Sequence, residues 1–197
     1  MKRFFCLVLT VIIMLSLTSC SLGNRMKNIL FEDNNSIANS TFEKVVESIK
    51  NKDSDKLISL FSPNIKNTAD LSEDAHNLIE FVKGNIISFS DARDSGVGAS
   101  YHSEHGKKQK ILDSAFTVKT DTKTYYISIF ECTHDDFDSN NIGITSLHII
   151  ESENWQINYR YRGYDRKELG IDIDTRKIMT EDDFLKSRNK SYDTPQS

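Results

Sequence analysis

The chain has 197 residues, 38% hydrophobic and 27% charged, which suits one packed domain plus a processing segment and excludes a low-complexity protein. Eight glycines and two prolines leave little material for linkers. The formal charge of −4 contains no block of like charge, so a nucleic-acid partner is not expected, because phosphate binding needs concentrated Lys and Arg.

Met1-Lys2-Arg3 forms a short basic start, followed by an uncharged apolar run from Phe4 to Leu17. As a helix that run reaches roughly 21 Å, short of the roughly 30 Å hydrocarbon core, and so reads as the core of a signal peptide. Leu17-Thr18-Ser19-Cys20 resembles the lipobox of bacterial lipoproteins. The resemblance implies signal-peptidase recognition through Leu17, Thr18 and Ser19, cleavage after residue 19, and lipidation of Cys20. Two acyl chains, palmitate among them, give stable anchoring where one is marginal. The anchored chain then lies at the outer face of the cytoplasmic membrane, with membrane lipid as its first partner. Loss of Lys2 and Arg3 takes the charge from −4 to −6. Cys6 leaves with the leader, so Cys132, in the strand pattern "ISIFECT", has no disulfide partner and reads as a small buried hydrophobe.

Residues 20–35 lack periodicity and read as a lipidated tether with a reach of about 20–25 Å; docking of "NILF" on the domain is the alternative. Three helices follow in a domain expected over 36–174. Phe42, Val45, Val46 and Ile49 form one stripe, with Ser40 and Glu43 spaced as a capping box. Asp53 is placed to cap a second helix carrying Leu57, Leu60 and Phe61, which stops before Ser62-Pro63. A third helix, starting near Asp70 or Ser72, carries Ala75, Leu78, Ile79 and Val82 and ends at Lys83-Gly84.

After Gly84 the period changes to two. Strands are expected over 85–91, 98–104, 114–120, 124–133 and 143–151, with "TDTK" (120–123) as a hairpin turn and 155–162 as a further edge strand. The tail 175–197 is polar, with one short helix from Thr180 to about Lys186. Helices grouped before strands argue for α+β: a curved antiparallel sheet of five to six strands on three N-terminal helices.

That order resembles the nuclear-transport-factor-2-like (cystatin-like) superfamily, in which a curved sheet wraps helices into a cone. "IKNKDSDKLISLFSPNI", "LIEFVKGNIISFSD", "NNIGITSLHII" and "ELGIDI" resemble a family of Gram-positive lipoproteins known as domain of unknown function 5104. The resemblance covers about residues 36–174 and carries fold rather than chemistry.

No P-loop, HExxH, GxSxG or CxxC is present, so no cofactor is expected. "GVGASY" (96–101) reads as a turn or bulge, not a dinucleotide loop. In "YHSEH", His102 and Glu104 share a strand face. They can either ligate zinc with a third group or decorate a solvated hairpin tip, and no metal is expected. Asp136, Asp138 and Asn140 have calcium-loop spacing, but Asn141 and Leu147 break that template, leaving a turn. His148 shares a strand face with Ile144, Ser146 and Ile150. The superfamily resemblance makes it a catalytic candidate, with Glu131 or Tyr126 as proton-transfer partner, against a hydrogen-bonded structural role. "NYRYRGYDRK" alternates Tyr and Arg, suited to an acidic partner or to a charge-guarded edge strand.

These features lead to an anchored, non-enzymatic module that binds a small ligand or a surface protein. The alternatives are a small hydrolase or isomerase using the cone, and an accessory subunit of a surface complex.

Overall fold

The computed structural model describes residues 33–68, 70–154 and 169–174. Helix α1 (Asn34–Asn51) buries Ala38, Phe42, Val45, Val46 and Ile49, the expected stripe extended one turn upstream by Ala38. Because the helix starts at Asn34, Ser40 and Glu43 lie in its interior. The expected capping box is therefore not formed, and the last residues assigned to the tether are helical. Helix α2 (Ser54–Ser59) is capped as expected, its Lys56 N–H donating to Asp53 Oδ1 at 2.8 Å. It ends before Phe61, which instead forms a parallel bridge with Ile144.

Pro63 then opens an unforeseen turn, α3 (Pro63–Lys66), its fixed φ suited to a first helical position. Helix α4 (Leu71–Phe81) buries Leu71, Ala75, Leu78 and Ile79. Four helical segments among the described residues thus precede the sheet, where three were expected. Among the described residues, no helix is long and apolar enough to cross a membrane.

The sheet comprises β1 (Ile86–Phe89), β2 (Val97–Glu104), β3 (Lys107–Thr120), β4 (Thr124–Asp135), β5 (Gly143–Glu151) and β6 (Gly170–Asp174). A short helix α5 (Ala92–Ser95), held by an Asp91/Asp94 capping box, joins β1 to β2. The order is β1-β3-β4-β5-β6, with β2 also paired to β3. Every pairing is antiparallel except β5 with β6.

The "TDTK" turn closes as expected, Thr120 N–H donating to Lys123 O at 2.7 Å. Strand β3 begins at Lys107, earlier than expected, because its polar first half pairs along the exposed β2. Strand β6 occupies "GIDID", a segment read only as a family motif. The leader with Leu17 to Cys20, the strand expected at 155–162, the Trp155 to Arg166 segment and the helix expected at 180–186 lie outside the described residues.

Register sorts the sheet into two faces, since paired residues share a face. Two rows, Phe116–Ile127–Ile149–Ile173 and Ser114–Ile129–Leu147–Ile171, meet the helices. Phe42 of α1 stacks on Phe116 with centroids 3.8 Å apart. The row between them, Ala115–Ser128–His148–Asp172, points to the opposite face.

Candidate functional site

An open groove of about 720 Å³ lies between α4 and the β6 end of the sheet. Asp74, Asn77, Glu80 and Phe81 of α4 form one side. Ile171, Asp172 and Ile173 of β6 form the other, with Lys83, Lys123 and Glu151 at the end. Residues outside the apolar stripe of α4 supply the polar wall, so the same helical periodicity that builds the core also builds the groove.

The end of the groove is fixed by local hydrogen bonding. Tyr125 is buried, and its hydroxyl accepts the Lys83 N–H at 2.9 Å while donating to Phe81 O at 3.3 Å. Those bonds tie the end of α4 to β4. Lys123, in the β3–β4 turn, pairs with Glu151 at the end of β5, and this interaction raises the lysine's affinity for its proton. A smaller hollow of about 340 Å³ lies on the other side of that pair, along the β3–β4 turn.

The candidate pairing of His148 with Glu131 is not formed, because the two face opposite sides of the sheet. Alternation along β4 is the cause, since Ser128 pairs with His148 and Glu131 lies three residues on; a separate irregularity then sets Phe130 opposite Ser146 and Glu131 opposite Ile144, leaving Thr145 as an extra residue. Ile144 is thereby turned into the helix-side core, away from the face it was expected to share with His148. Glu131 reaches α1 instead and accepts the Thr41 hydroxyl at 2.9 Å. Burial pushes its carboxyl up, opposed by that hydrogen bond and by Lys44.

Tyr126 does share the His148 face, one row along, where it lies opposite Ile150. The residues beside His148 in its own row are Ser128 and Asp172. His148 is 5% exposed, with Nε2 3.7 Å from Asp172 Oδ2. Ser128 is 7% exposed, and its Oγ has no hydrogen-bond partner among the described residues. Sequence reading missed both neighbours. The only available signal was register, and register with Asp172 depends on a parallel pairing that no local pattern announces.

The remaining candidates resolve as local structure. His102 and Glu104 sit on exposed β2 beside the turn at His105-Gly106, and His102 packs against Phe137 with centroids 5.4 Å apart. Among the described residues, no group of three His, Cys, Asp or Glu is gathered for a metal. Asp138 caps a single turn by accepting the Asn140 N–H at 2.9 Å, and Asn64 Nδ2 donates to it at 3.1 Å. Asp135 accepts the Phe137 and Asp138 N–H groups, and its other oxygen accepts from Gln109 and Asn141. Asp136 and Asn140 therefore belong to a hydrogen-bonded turn. Gly96, at φ 80°, ends α5, and the rest of "GVGASY" is strand. Cys132 is buried, which pushes its thiol up.

A layer of helices on one face of a six-stranded, mostly antiparallel open sheet defines an α+β domain with a groove beside β6, the last strand among the described residues. Residues 44–152, more than half of the chain, match the family model described as Domain of unknown function (DUF5104), and the chain belongs to that family. No curated protein matches the chain.

Proposed function

We propose that the protein is a lipoprotein, held at the outer face of the cytoplasmic membrane through acylated Cys20, whose domain binds a ligand or surface protein in the α4–β6 groove. The observation that carries the binding reading is the groove itself: about 720 Å³, with an apolar floor of Phe81, Ile171 and Ile173 and charged groups around it. The anchor rests on Leu17-Thr18-Ser19-Cys20 and on the short apolar run before it. A finer fold reading, the nuclear-transport-factor-2-like cone, is supported by the described helices packing on one face and by register shifts at Lys110/Ile111 and Phe130/Glu131, of the kind that bend a sheet.

Native mass spectrometry of the full chain extracted from membranes tests the binding reading. An adduct should accompany the wild type and be lost in Asn77→Trp, where the indole fills the groove. A chain with no adduct, or an adduct indifferent to that substitution, sinks it. Replacing Cys20 with Ser should abolish acyl labelling; unchanged labelling refutes the anchor.

A second reading is favoured by the Ser128–His148–Asp172 row: a small hydrolase of acyl substrates. In that chemistry Ser128 Oγ attacks the carbonyl carbon while His148 takes its proton and returns it to the leaving group. Asp172 steadies the imidazolium, and water then releases the acyl group from Ser128. A serine-reactive fluorophosphonate should label Ser128 in the wild type but not in His148→Ala. An unlabelled wild type sets the reading aside.

A further inference from the structure

Strand β2 pairs with one side of β3, whose other side is taken by β4. The chain before and after β2, helix α5 and strand β3, is described, and every residue from Gly98 to Glu104 is exposed. An uncovered edge strand normally carries a guard: shortness, a bulge, a proline or a lysine. Strand β1, which also pairs with β3, has two of these, being four residues long with a register shift between Ile86 and Ser88. Strand β2 has none. Its eight residues, "VGASYHSE", contain no Pro, Lys or Arg, and its pairs with β3 run from Val97 to Glu104 without a shift.

We propose that β2 is the docking edge for a second copy of this chain, the two β2 strands pairing antiparallel about a twofold axis so that the two sheets join. The proposal goes beyond the groove, which lies at the β6 end of the sheet and keeps its own occupant. Along its length β2 offers roughly 27 Å of main chain, whose outward N–H and C=O groups find partners in the other copy. A twofold contact uses each β2 once and so closes at a dimer.

The chemistry of the strand favours its own copy as the occupant. Antiparallel pairing sets the Val97 end of one β2 against the Glu104 end of the other. Glu104, the one carboxylate in the strand, is thereby kept far from its equivalent, and no like charges face each other across the pair. The flanking segments are complementary too. Asp91 to Ser95 carries two carboxylates and one guanidinium, whereas the hairpin tip, Glu104 to Lys108, carries two ammonium groups and one carboxylate. The twofold brings the tip of each copy toward the α5 segment of the other, so opposite net charges meet at both ends. Tyr101, 45% exposed, stands near the middle of the strand and hence near the axis. An axis perpendicular to the sheet keeps equivalent residues on one face. Two Tyr101 rings therefore meet there and cover aromatic surface that a single chain leaves in water.

Two experiments on the full-length chain test the proposal. In membranes, Ser100→Cys should give a disulfide-linked dimer on mild oxidation, at least tenfold more than Lys66→Cys at an exposed position on α3. In sedimentation velocity of the detergent-extracted chain, the wild type should run as a dimer. Ser100→Lys and Ser100→Glu each set like charges together near the axis and should raise the dissociation constant at least tenfold. Mixing the two variants should restore the dimer, which neither could do if its substitution had merely unfolded it. Equal crosslinking at positions 100 and 66, a monomeric wild type, or a dimer indifferent to both charges overturns the proposal. A Ser100→Cys adduct of any mass other than twice that of the chain overturns the second copy as occupant and assigns the edge to another protein. These outcomes leave the adduct removed by Asn77→Trp untouched, so the dimer and the groove reading fail separately.

Discussion

Replacing Gly143 with alanine should loosen the junction between the helical layer and the sheet. Gly143 begins β5 at φ +125°, a region that side chains rarely adopt, and an added Cβ would meet only main-chain atoms. It would lie 2.8 Å from Ser62 N and 3.1 Å from both Leu60 O and Phe61 C. No rotamer change relieves such a contact, so the α2–α3 connection must move. That connection is held by Ser62 N–H donating to Ile144 O at 2.9 Å and Ile144 N–H donating to Leu60 O at 3.0 Å. Backbone strain at the new alanine costs about 1–3 kcal/mol. Weakening two buried hydrogen bonds adds about 1 kcal/mol each. The expected loss is about 3–5 kcal/mol, a large part of the roughly 5–15 kcal/mol that stabilises a typical domain. Urea unfolding followed by circular dichroism should show the midpoint falling by about 1–3 M with little change in slope. Gly106→Ala is the control: φ is +81°, yet nothing lies within 4 Å of its Cβ, so only the cost of the backbone conformation, about 1–2 kcal/mol, should appear. A Gly143→Ala loss no larger than that of Gly106→Ala would refute the clash argument.

Tyr125→Phe should cost about 1–2 kcal/mol in urea unfolding, because the Lys83 N–H loses its buried acceptor; an unchanged midpoint contradicts the tie between α4 and β4. At Asp135, burial pushes the carboxyl up, but hydrogen bonds from Asn141, the Asp138 N–H, Gln109 and the Phe137 N–H outweigh it and hold the group at about 2. A folded value below the unfolded one gives stability that is complete above about pH 4 and lost as the pH falls toward 2, so Asp135→Asn should flatten unfolding free energy across that window. Glu131 has the opposite sign: its folded value is raised, so it withdraws stability as the pH climbs above the ordinary carboxylate range. Glu131→Gln, which can still accept from Thr41, should match or exceed wild-type stability at pH 7, and a clear loss there would show the charge to be favourable.

The sequence carried the α+β class and most elements because their signals are local. The α1 stripe, the Asp53 cap, the "TDTK" turn and the limits of β5 each depend on residues a few positions apart. What it did not carry depends on pairing between distant segments. The α1 start was misplaced because Ser40 and Glu43 satisfy a cap pattern equally well inside a helix that Ala38 extends. Strand β6 has two isoleucines alternating with two aspartates, too short a pattern to stand out before β5 supplies a partner. The His148 neighbourhood was misjudged for a related reason: one unpaired residue, Thr145, reverses which side of β5 faces the helices, and strict alternation cannot reveal it.

The groove and the polar row meet at one residue. Asp172 lines the groove and also stands beside His148, so occupancy of the groove and the placing of His148 bear on the same carboxylate. A change at Asp172 therefore cannot separate a binding module from a hydrolase. Residues on only one side of it can. Glu80 lies in the groove on α4, far along the chain from the row, whereas Ser128 belongs to the row and is absent from the groove lining. A binding module loses its ligand with Glu80→Lys and keeps it with Ser128→Ala. A hydrolase keeps its bound substrate with Ser128→Ala and loses turnover. The parallel β5–β6 pairing, a departure from the antiparallel pairing of the other described strands, puts Asp172 at that junction, and so sets which substitutions can tell the two functions apart.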